Sequence, residues 1–157
     1  MSGKSHSYGI AVEWTGNRGT GTSGYTAYSR DHVIRADDKP DIPGSADPAF
    51  RGDRSRYNPE DLLVASVSTC HMLWYLHLAS DAGIVVTAYT DAATGTMIED
   101  SARGGYFTAI TLHPRVTIGA GGDSDLAAKL HERAHALCFV ANSLNFPVAC
   151  EPTIVSA

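Results

Sequence analysis

The chain has 157 residues, 43% of them hydrophobic, and its 12 basic and 17 acidic side chains leave a formal net charge of -5. This length fits a single domain, over residues 1–157, that needs neither a metal nor a disulfide to hold it together. The acidic balance and the lack of a basic block argue against a nucleic-acid binder.

The apolar segments predict a cytoplasmic protein without a membrane partner. Residues 1–9 are polar and lack the apolar core of about 7 to 15 residues that a signal peptide needs. The longest apolar stretch, residues 62–79, is interrupted by serine, threonine and histidine, which predicts a buried helix and not a membrane span. In a reducing compartment the three cysteines do not form a disulfide framework, so each is a packed thiol or a reactive one.

The first third of the chain predicts three strands and a long loop. Alternating residues and glycine-rich turns predict the strands at Tyr8–Trp14, Tyr25–Ser29 and His32–Arg35. The segment Asp37–Tyr57 is rich in Pro, Asp, Gly and Arg, which predicts a loop that acts as a lid or an interface arm.

A long helix is predicted to begin after Asn58. Asparagine is a good N-cap, Pro59 fits the first helical position, and Glu60 and Asp61 lie in the first turn. Gly83 is the predicted stop. Because the helix is apolar nearly all round, we expect it in the centre of the structure.

The second half of the chain predicts a sheet, a second helix and a closing strand. The second helix runs from Ser124 to about Asn145, and Pro147 ends it. The strands are expected at Ile84–Thr90, Gly95–Glu99, Gly105–Leu112, Arg115–Ile118 and Val148–Val155. The fold class is therefore α+β, a mostly antiparallel sheet with two long helices.

Cys70 is the first candidate for chemistry, and it lies inside the first helix. It is either a small packed side chain or a nucleophile, and as a thiolate it needs a cation, such as an arginine from elsewhere in the chain. His71 points to another face of the helix and is a poor partner. Cys138, on the second helix, could meet Cys70, although spacing alone does not establish this. Cys150, on the last strand, is expected to be a packing residue.

A zinc site is an alternative that the same region allows. His131, His135 and Cys138 fall at i, i+4 and i+7 on one helix face, and Cys70 with His71 could complete four ligands. The spacing matches no tight structural zinc pattern, so we expect neither a metal nor a cofactor.

Three segments resemble one known family. The run Asn58–Leu63 followed by Cys70 is similar to the helix signature of the OsmC/Ohr thiol-dependent peroxidases. Residues 14–22, which include Arg18, resemble the first hairpin of that family, and residues 134–143 resemble the helix of its second cysteine. The resemblance implies the OsmC-like fold and an intertwined homodimer with active sites at the interface.

The resemblance also implies a two-cysteine mechanism. Cys70 would attack an organic hydroperoxide and become a sulfenic acid, and Cys138 would condense with it to form a disulfide. An external dithiol, a lipoyl protein or a thioredoxin-type reductant, would reduce that disulfide. Arg18 would lower the pKa of Cys70 and stabilise charge on the peroxide, and Glu60 would hold Arg18. Ten residues of helix separate Glu60 from Cys70 by about 15 Å, so the two could share a site only through a bridging group or by coming from different subunits. The dimer of the family is compatible with the second option.

The sequence departs from the family pattern at two positions. Phe139 follows the second cysteine where proline is usual, and His71 follows the first where phenylalanine is usual. These differences indicate a distinct branch, in which Arg30 or Arg51 could replace Arg18. An apolar pocket that favours bulky organic hydroperoxides is expected around Met72, Trp74, Phe139 and Phe146. The alternatives are a non-catalytic protein that binds zinc or a small ligand, and a structural dimer with inert thiols.

Overall fold

The structure of the protein is a computed structural model that describes residues 3–157. The chain divides into two compact units, Met1–Leu62 and Leu63–Ala157. The long first helix runs from one unit into the other. A single domain over the whole chain stays a prediction.

The first unit contains one small antiparallel sheet. Its strands are β1 (Ala11–Trp14), β2 (His32–Arg35) and β3 (Ile42–Gly44), in the order β1-β2-β3. Strand β3 lies inside the segment predicted to be a loop, and its proline is tolerated because β3 is an edge strand. The rest of that segment contains a short 3-10 turn, Pro48–Phe50.

The predicted strand at Tyr25–Ser29 is wrong, because these residues form turns. The guanidinium group of Arg30 lies over the rings of Tyr25 and Tyr28, 4.3 and 4.2 Å from their centroids. It also donates hydrogen bonds to the carbonyl oxygens of the same two tyrosines, each at 2.9 Å. These carbonyl groups are therefore bound to a side chain and not to a neighbouring strand.

Helix α1 spans Pro59–Asp81, and both predicted ends are confirmed. At its start Asn58 and Asp61 cap each other: the Asp61 N–H donates to Asn58 Oδ1 at 2.7 Å, and the Asn58 N–H donates to Asp61 Oδ2 at 3.2 Å. At its end Gly83 has φ +72°, and the Ile84 N–H donates to the Ala79 oxygen at 2.8 Å. This is the glycine-terminated hydrogen-bond pattern that satisfies the last carbonyl groups.

The second unit contains two mixed three-stranded sheets. Five of the strands are β4 to β8, and their bounds are Val86–Asp91, Thr94–Ile98, Tyr106–Leu112, Pro114–Ile118 and Val148–Cys150. Strand β9, Thr153–Ser156, shows that the single closing strand predicted for Val148–Val155 is in fact two. The sheets have the orders β4-β7-β9 and β5-β6-β8, and the pairs β7-β9 and β6-β8 are parallel while the others are antiparallel. The α+β fold with mostly antiparallel pairing is confirmed.

Helix α2 spans Ser124–Leu137 and is shorter than predicted. Its start is capped by Asp123, whose carboxylate accepts the N–H of Leu126 at 2.9 Å. The predicted end near Asn145 is wrong, since Cys138 is the C-cap and has an extended backbone. The side chain of Asn142 donates to the Ala136 carbonyl at 3.1 Å, and Ser143 donates to that of Phe139 at 2.8 Å. These polar side chains donate hydrogen bonds to carbonyl groups that would accept backbone N–H groups in a longer helix.

The core of the second unit consists of two clusters. The larger is built around Tyr75, Ile84, Val116 and Ile118, and the smaller joins Val67 to Ile110 and Leu112. Helix α1 contributes one buried face to both, at Val67, His71, Tyr75 and Ala79.

Helix α1 was expected in the centre of the structure, but in the single chain one of its sides is exposed. Leu73, on the opposite side of the helix, is 63% exposed. Within residues 3–157, α1 is also the helix whose length and mean hydropathy would suit a membrane span. One face of this helix is buried in the core of the second unit, where His71 is 1% exposed.

Candidate active site

The thiol of Cys138 lies close to that of Cys70, near enough for Cys70 to raise the pKa of Cys138. Cys70 comes from the middle of α1, and Cys138 is the C-cap residue at the end of α2. Neither cysteine is joined in a disulfide. Cys138 is completely buried and Cys70 is partly exposed, so Cys70 is the thiol of the pair that a substrate can reach.

The environment of Cys138 keeps it a neutral thiol. Burial raises the pKa of Cys138 to about 11, and the neighbouring Cys70 thiol adds to the rise. Hydrogen bonds from the backbone of Ala141 and Val140 act in the opposite direction. Cys138 is therefore protonated at neutral pH. The backbone N–H groups that donate to its sulfur would stabilise any negative charge that develops there.

Two aromatic residues lie close to these cysteines in the chain. Trp74 lies one helical turn after Cys70, and Phe139 follows Cys138 directly; their rings meet edge to face with centroids 5.4 Å apart. Phe139 is 70% exposed. Phe146, which we expected in the same pocket, packs on Phe107 instead, at 5.7 Å between ring centroids. Trp74 and Phe139 thus pack on each other close to the two cysteines along the chain, whereas Phe146 belongs to the smaller core cluster.

The arginines predicted to serve the thiolate all belong to the first unit. Arg18 and Arg51 are exposed, while both terminal nitrogens of Arg30 are bound by tyrosine carbonyl groups. Among the ion pairs of residues 3–157, none joins Arg18 to Glu60. The roles of Arg18 and Glu60 stay predictions.

A second group of polar side chains is buried close to α1. His71 Nε2 lies 2.9 Å from His131 Nδ1, and Cys150 Sγ lies 3.6 Å from the first nitrogen and 3.9 Å from the second. The two histidines are 1% and 2% exposed. Tyr75 stacks on the His131 ring, with the centroids 3.9 Å apart, which fixes the plane of that imidazole.

The buried cluster is neutral in the metal-free protein. Burial lowers the pKa of His71 to about 4 and that of His131 to about 3, and the second ring is lowered further by the first. Burial, with the charges of Asp91 and Glu151, raises the pKa of Cys150 to about 12. At neutral pH the three groups are two neutral imidazoles and one thiol, which are the donors that a transition metal takes up.

This cluster differs from the zinc set that the sequence offered. The alternative of His131, His135 and Cys138 with Cys70 and His71 is corrected: only His71 and His131 of those five belong to the group whose donor atoms converge. The missing member is Cys150, which we expected to be only a packing residue. Cys150 is the last residue of strand β8, directly before Glu151. Strand β8 pairs in parallel with β6, and this pairing places Cys150 beside the helices. No spacing pattern reveals a contact between residues 71 and 150.

The comparisons with known proteins identify the family. Residues 52–153 match the model of the OsmC-like protein family. An OsmC-like protein of unknown function from Vibrio cholerae has the same fold with a TM-score of 0.86 and 28% identity, over 95% of this chain and 100% of that one. No curated protein matches the sequence.

More distant structures share the fold alone. An organic hydroperoxide resistance protein OsmC from Legionella pneumophila has a TM-score of 0.69 and 15% identity, over 95% of this chain and 96% of that one. An organic hydroperoxide resistance protein from Elizabethkingia anophelis has a TM-score of 0.68 and 19% identity, over 98% of this chain and 100% of that one. The chain is an α+β protein of the OsmC type, and it belongs to the OsmC-like protein family.

Proposed function

We propose that the protein is a thiol-dependent peroxidase that reduces organic hydroperoxides through Cys70 and Cys138. The observation that carries this proposal is the proximity of a partly exposed thiol on α1 to a buried thiol at the end of α2. Two of the proteins that share the fold are organic hydroperoxide resistance proteins, which agrees with the proposal.

The proposed reaction has two thiol steps. The Cys70 thiolate attacks the distal oxygen of the hydroperoxide ROOH; the O–O bond breaks, Cys70 becomes a sulfenic acid, and the alkoxide leaves as ROH after it takes a proton. The Cys138 sulfur then attacks the Cys70 sulfur and forms a disulfide. The hydroxyl group leaves as water with the proton of Cys138.

The buried neutral state of Cys138 suits the resolving role. A thiol whose pKa is raised to about 11 is a poor nucleophile toward peroxide in solution, so the two cysteines do not compete for the first step. Because Cys138 already lies close to Cys70, the second step needs no large movement of the helices. The burial and the raised pKa of Cys138 are the physical reason for assigning the first step to Cys70.

A homodimer would complete the site. Glu60 and Cys70 lie on the same continuous helix, and ten residues of helix correspond to about 15 Å. Glu60, and an Arg18 bound to it, would therefore act on the Cys70 of the other subunit, where the guanidinium group stabilises the thiolate and the peroxide oxygens. The exposed apolar side of α1 around Leu73 is the surface that such a dimer would cover.

The substrate, the reductant and the compartment follow from the same proposal. The exposed aromatic ring of Phe139 beside the thiols favours a bulky organic hydroperoxide over hydrogen peroxide. An external dithiol, of the lipoyl or thioredoxin type, would reduce the disulfide in the cytoplasm as part of oxidative-stress defence. Equal rates with cumene hydroperoxide and hydrogen peroxide would contradict the substrate preference alone.

The intact mass of the reduced protein after one equivalent of cumene hydroperoxide tests the proposal. The wild type should lose two hydrogens as the disulfide forms. Cys138→Ser should gain one oxygen, because the sulfenic acid has no partner thiol, and Cys70→Ser should keep its mass. An unchanged mass of the wild type would contradict the proposed peroxidase function. A Cys70→Ser protein that still loses two hydrogens would contradict the assignment of the first step to Cys70.

A further inference from the structure

We propose that His71, His131 and Cys150 form a zinc-binding site, separate from the Cys70–Cys138 pair and independent of the peroxidase function. The three donor atoms come from three different elements, α1, α2 and β8, and all lie within 4.8 Å of one another. The first two residues are buried and the third is partly buried.

The distances between the donor atoms fit the edges of a zinc tetrahedron. Zinc binds imidazole nitrogen at about 2.0–2.1 Å and thiolate sulfur at about 2.3 Å, which gives tetrahedral edges of about 3.3 Å for N–N and about 3.6 Å for N–S. The observed edges are 2.9 Å between the nitrogens and 3.6 and 3.9 Å from the sulfur to each nitrogen. An ion placed among the three atoms needs adjustments of a few tenths of an ångström.

Hydrogen bonding within the protein does not account for the two histidines. The imidazoles share one hydrogen bond, and their remaining nitrogens, His71 Nδ1 and His131 Nε2, are buried without a partner among residues 3–157. These two nitrogens are not the ones that converge on Cys150, so the case for a ligand rests on the converging atoms alone. Two buried imidazoles and a thiol whose donor atoms converge suit a borderline metal such as zinc.

The surrounding charge favours a cation. The carboxylate of Asp91 acts on both Cys150 and His71. It is held in place as the acceptor of hydrogen bonds from the Ser68 hydroxyl and from the backbone N–H of His113. A divalent ion bound to the Cys150 thiolate beside this carboxylate would be neutralised by two negative charges.

Binding changes the protonation of the cluster in a defined way. The thiol proton of Cys150 is released to solvent as the sulfur binds the metal. The imidazole that donates the shared hydrogen bond gives up that proton and takes one on its far nitrogen, so both converging nitrogens have free lone pairs. The net change is the release of one proton for each ion bound.

The fourth coordination position has access to solvent. A cavity of about 460 Å³ is lined by His131 and Cys150 of the cluster, and by Lys129, Glu132 and His135. Three protein ligands with a fourth position open to water or a small ligand are the arrangement of exchangeable and catalytic zinc sites, in contrast to closed structural ones. The cavity gives the ion its route of entry.

Cobalt substitution of the full-length protein tests the site without measuring peroxidase activity. Titration of the reduced protein with Co²⁺ should produce a thiolate-to-cobalt charge-transfer band and the visible bands of tetrahedral cobalt, saturating at one equivalent, and Zn²⁺ should displace both. The band should be lost in Cys150→Ser and retained in Cys138→Ser. His71→Gln should lose it while His77→Gln, an exposed histidine on the same helix, should keep it.

Alkylation of the wild type keeps the test independent of whether the variants fold. Zn²⁺ should slow the reaction of iodoacetamide with Cys150 and leave the rate at Cys70 unchanged. Three results would overturn the proposal: no cobalt band in the wild type, a band lost in Cys138→Ser but kept in Cys150→Ser, or no zinc protection of Cys150.

Discussion

Cys70 and His71 are neighbours in the sequence, yet their side chains belong to different sites. Successive residues of an α-helix point about 100° apart, since the helix has about 3.6 residues per turn. Cys70 therefore faces Cys138, while His71 faces His131 and Cys150. At the scale of single residues, one face of α1 carries the thiol proposed to react, and the adjacent face carries a histidine of the buried cluster.

The raised pKa of Cys138 predicts a strong pH dependence of its alkylation. At pH 8, a thiol with its pKa raised to about 11 is a thiolate in roughly one molecule in a thousand. The rate of Cys138 with iodoacetamide should therefore climb about tenfold for each pH unit between pH 8 and about 10. Peptide mass mapping after timed alkylation measures this rate.

The same pKa sets the sign of a stability change. The unfolded chain loses this proton near its ordinary pKa of 9.0, while the folded one keeps it to about 11, so stability falls as pH rises through that interval. Cys138→Ala should weaken the fall in urea unfolding measured between pH 8 and 10.5. A Cys138 that reacts at pH 8 as fast as a free thiol would contradict the buried, neutral state.

At the scale of elements, the ends of α1 were predictable and the end of α2 was not. Asn58 and Gly83 act within a few residues of the helix they cap, so their effects can be predicted from local sequence. The end of α2 depends on Asn142 and Ser143, which cap carbonyl groups six and four residues earlier, respectively. Because apolar residues keep helical spacing beyond Leu137, the sequence predicted a helix that is too long.

Substitution of the glycine that ends α1 tests the importance of that helix end. Gly83 has φ +72° and empty space around it, so Gly83→Ala adds only the backbone strain of the left-handed conformation. We expect a loss of about 1–2 kcal/mol in the free energy of unfolding. Urea unfolding followed by circular dichroism measures the change.

Gly24→Ala is the matched control for this substitution. Gly24 also has no atom within 4 Å of an added Cβ, and its φ is not in the left-handed region. The control should be neutral or slightly stabilising. Equal effects of the two substitutions would show that the conformation of Gly83 does not limit the stability of the helix end.

At the scale of the whole molecule, the sequence was sufficient for the fold class and the family, but not for every contact. The helix signature and the order of elements predicted the OsmC-like fold, which is confirmed. The contact of Cys150 with His71 joins residues 79 positions apart through a parallel strand pair. Hydrophobic periodicity has no information on such pairings, because it reports only the faces of single elements.

The proposed dimer predicts that a charge on the exposed side of α1 separates the subunits. Leu73 is 63% exposed in the single chain, and a carboxylate buried there against a partner would be costly. Leu73→Glu should sediment as a monomer at a concentration where the wild type is a dimer. Sedimentation velocity measures both.

The matched control for the dimer test is Ile98→Glu, which places the same charge on an exposed apolar residue of strand β5. This variant should remain dimeric. A monomeric wild type would contradict the dimer, and a dimeric Leu73→Glu would show that the interface lies elsewhere.

The identity of the two sulfurs joined after one equivalent of cumene hydroperoxide tests the central claim most directly. Trypsin leaves Cys138 and Cys150 on one peptide, because no lysine or arginine lies between them, so chymotrypsin is needed to cut after Phe139 or Leu144. The account predicts a disulfide-linked peptide pair that contains Cys70 and Cys138, with Cys150 still a free thiol. A Cys70–Cys150 link, or three free thiols after the peroxide is added, would contradict it.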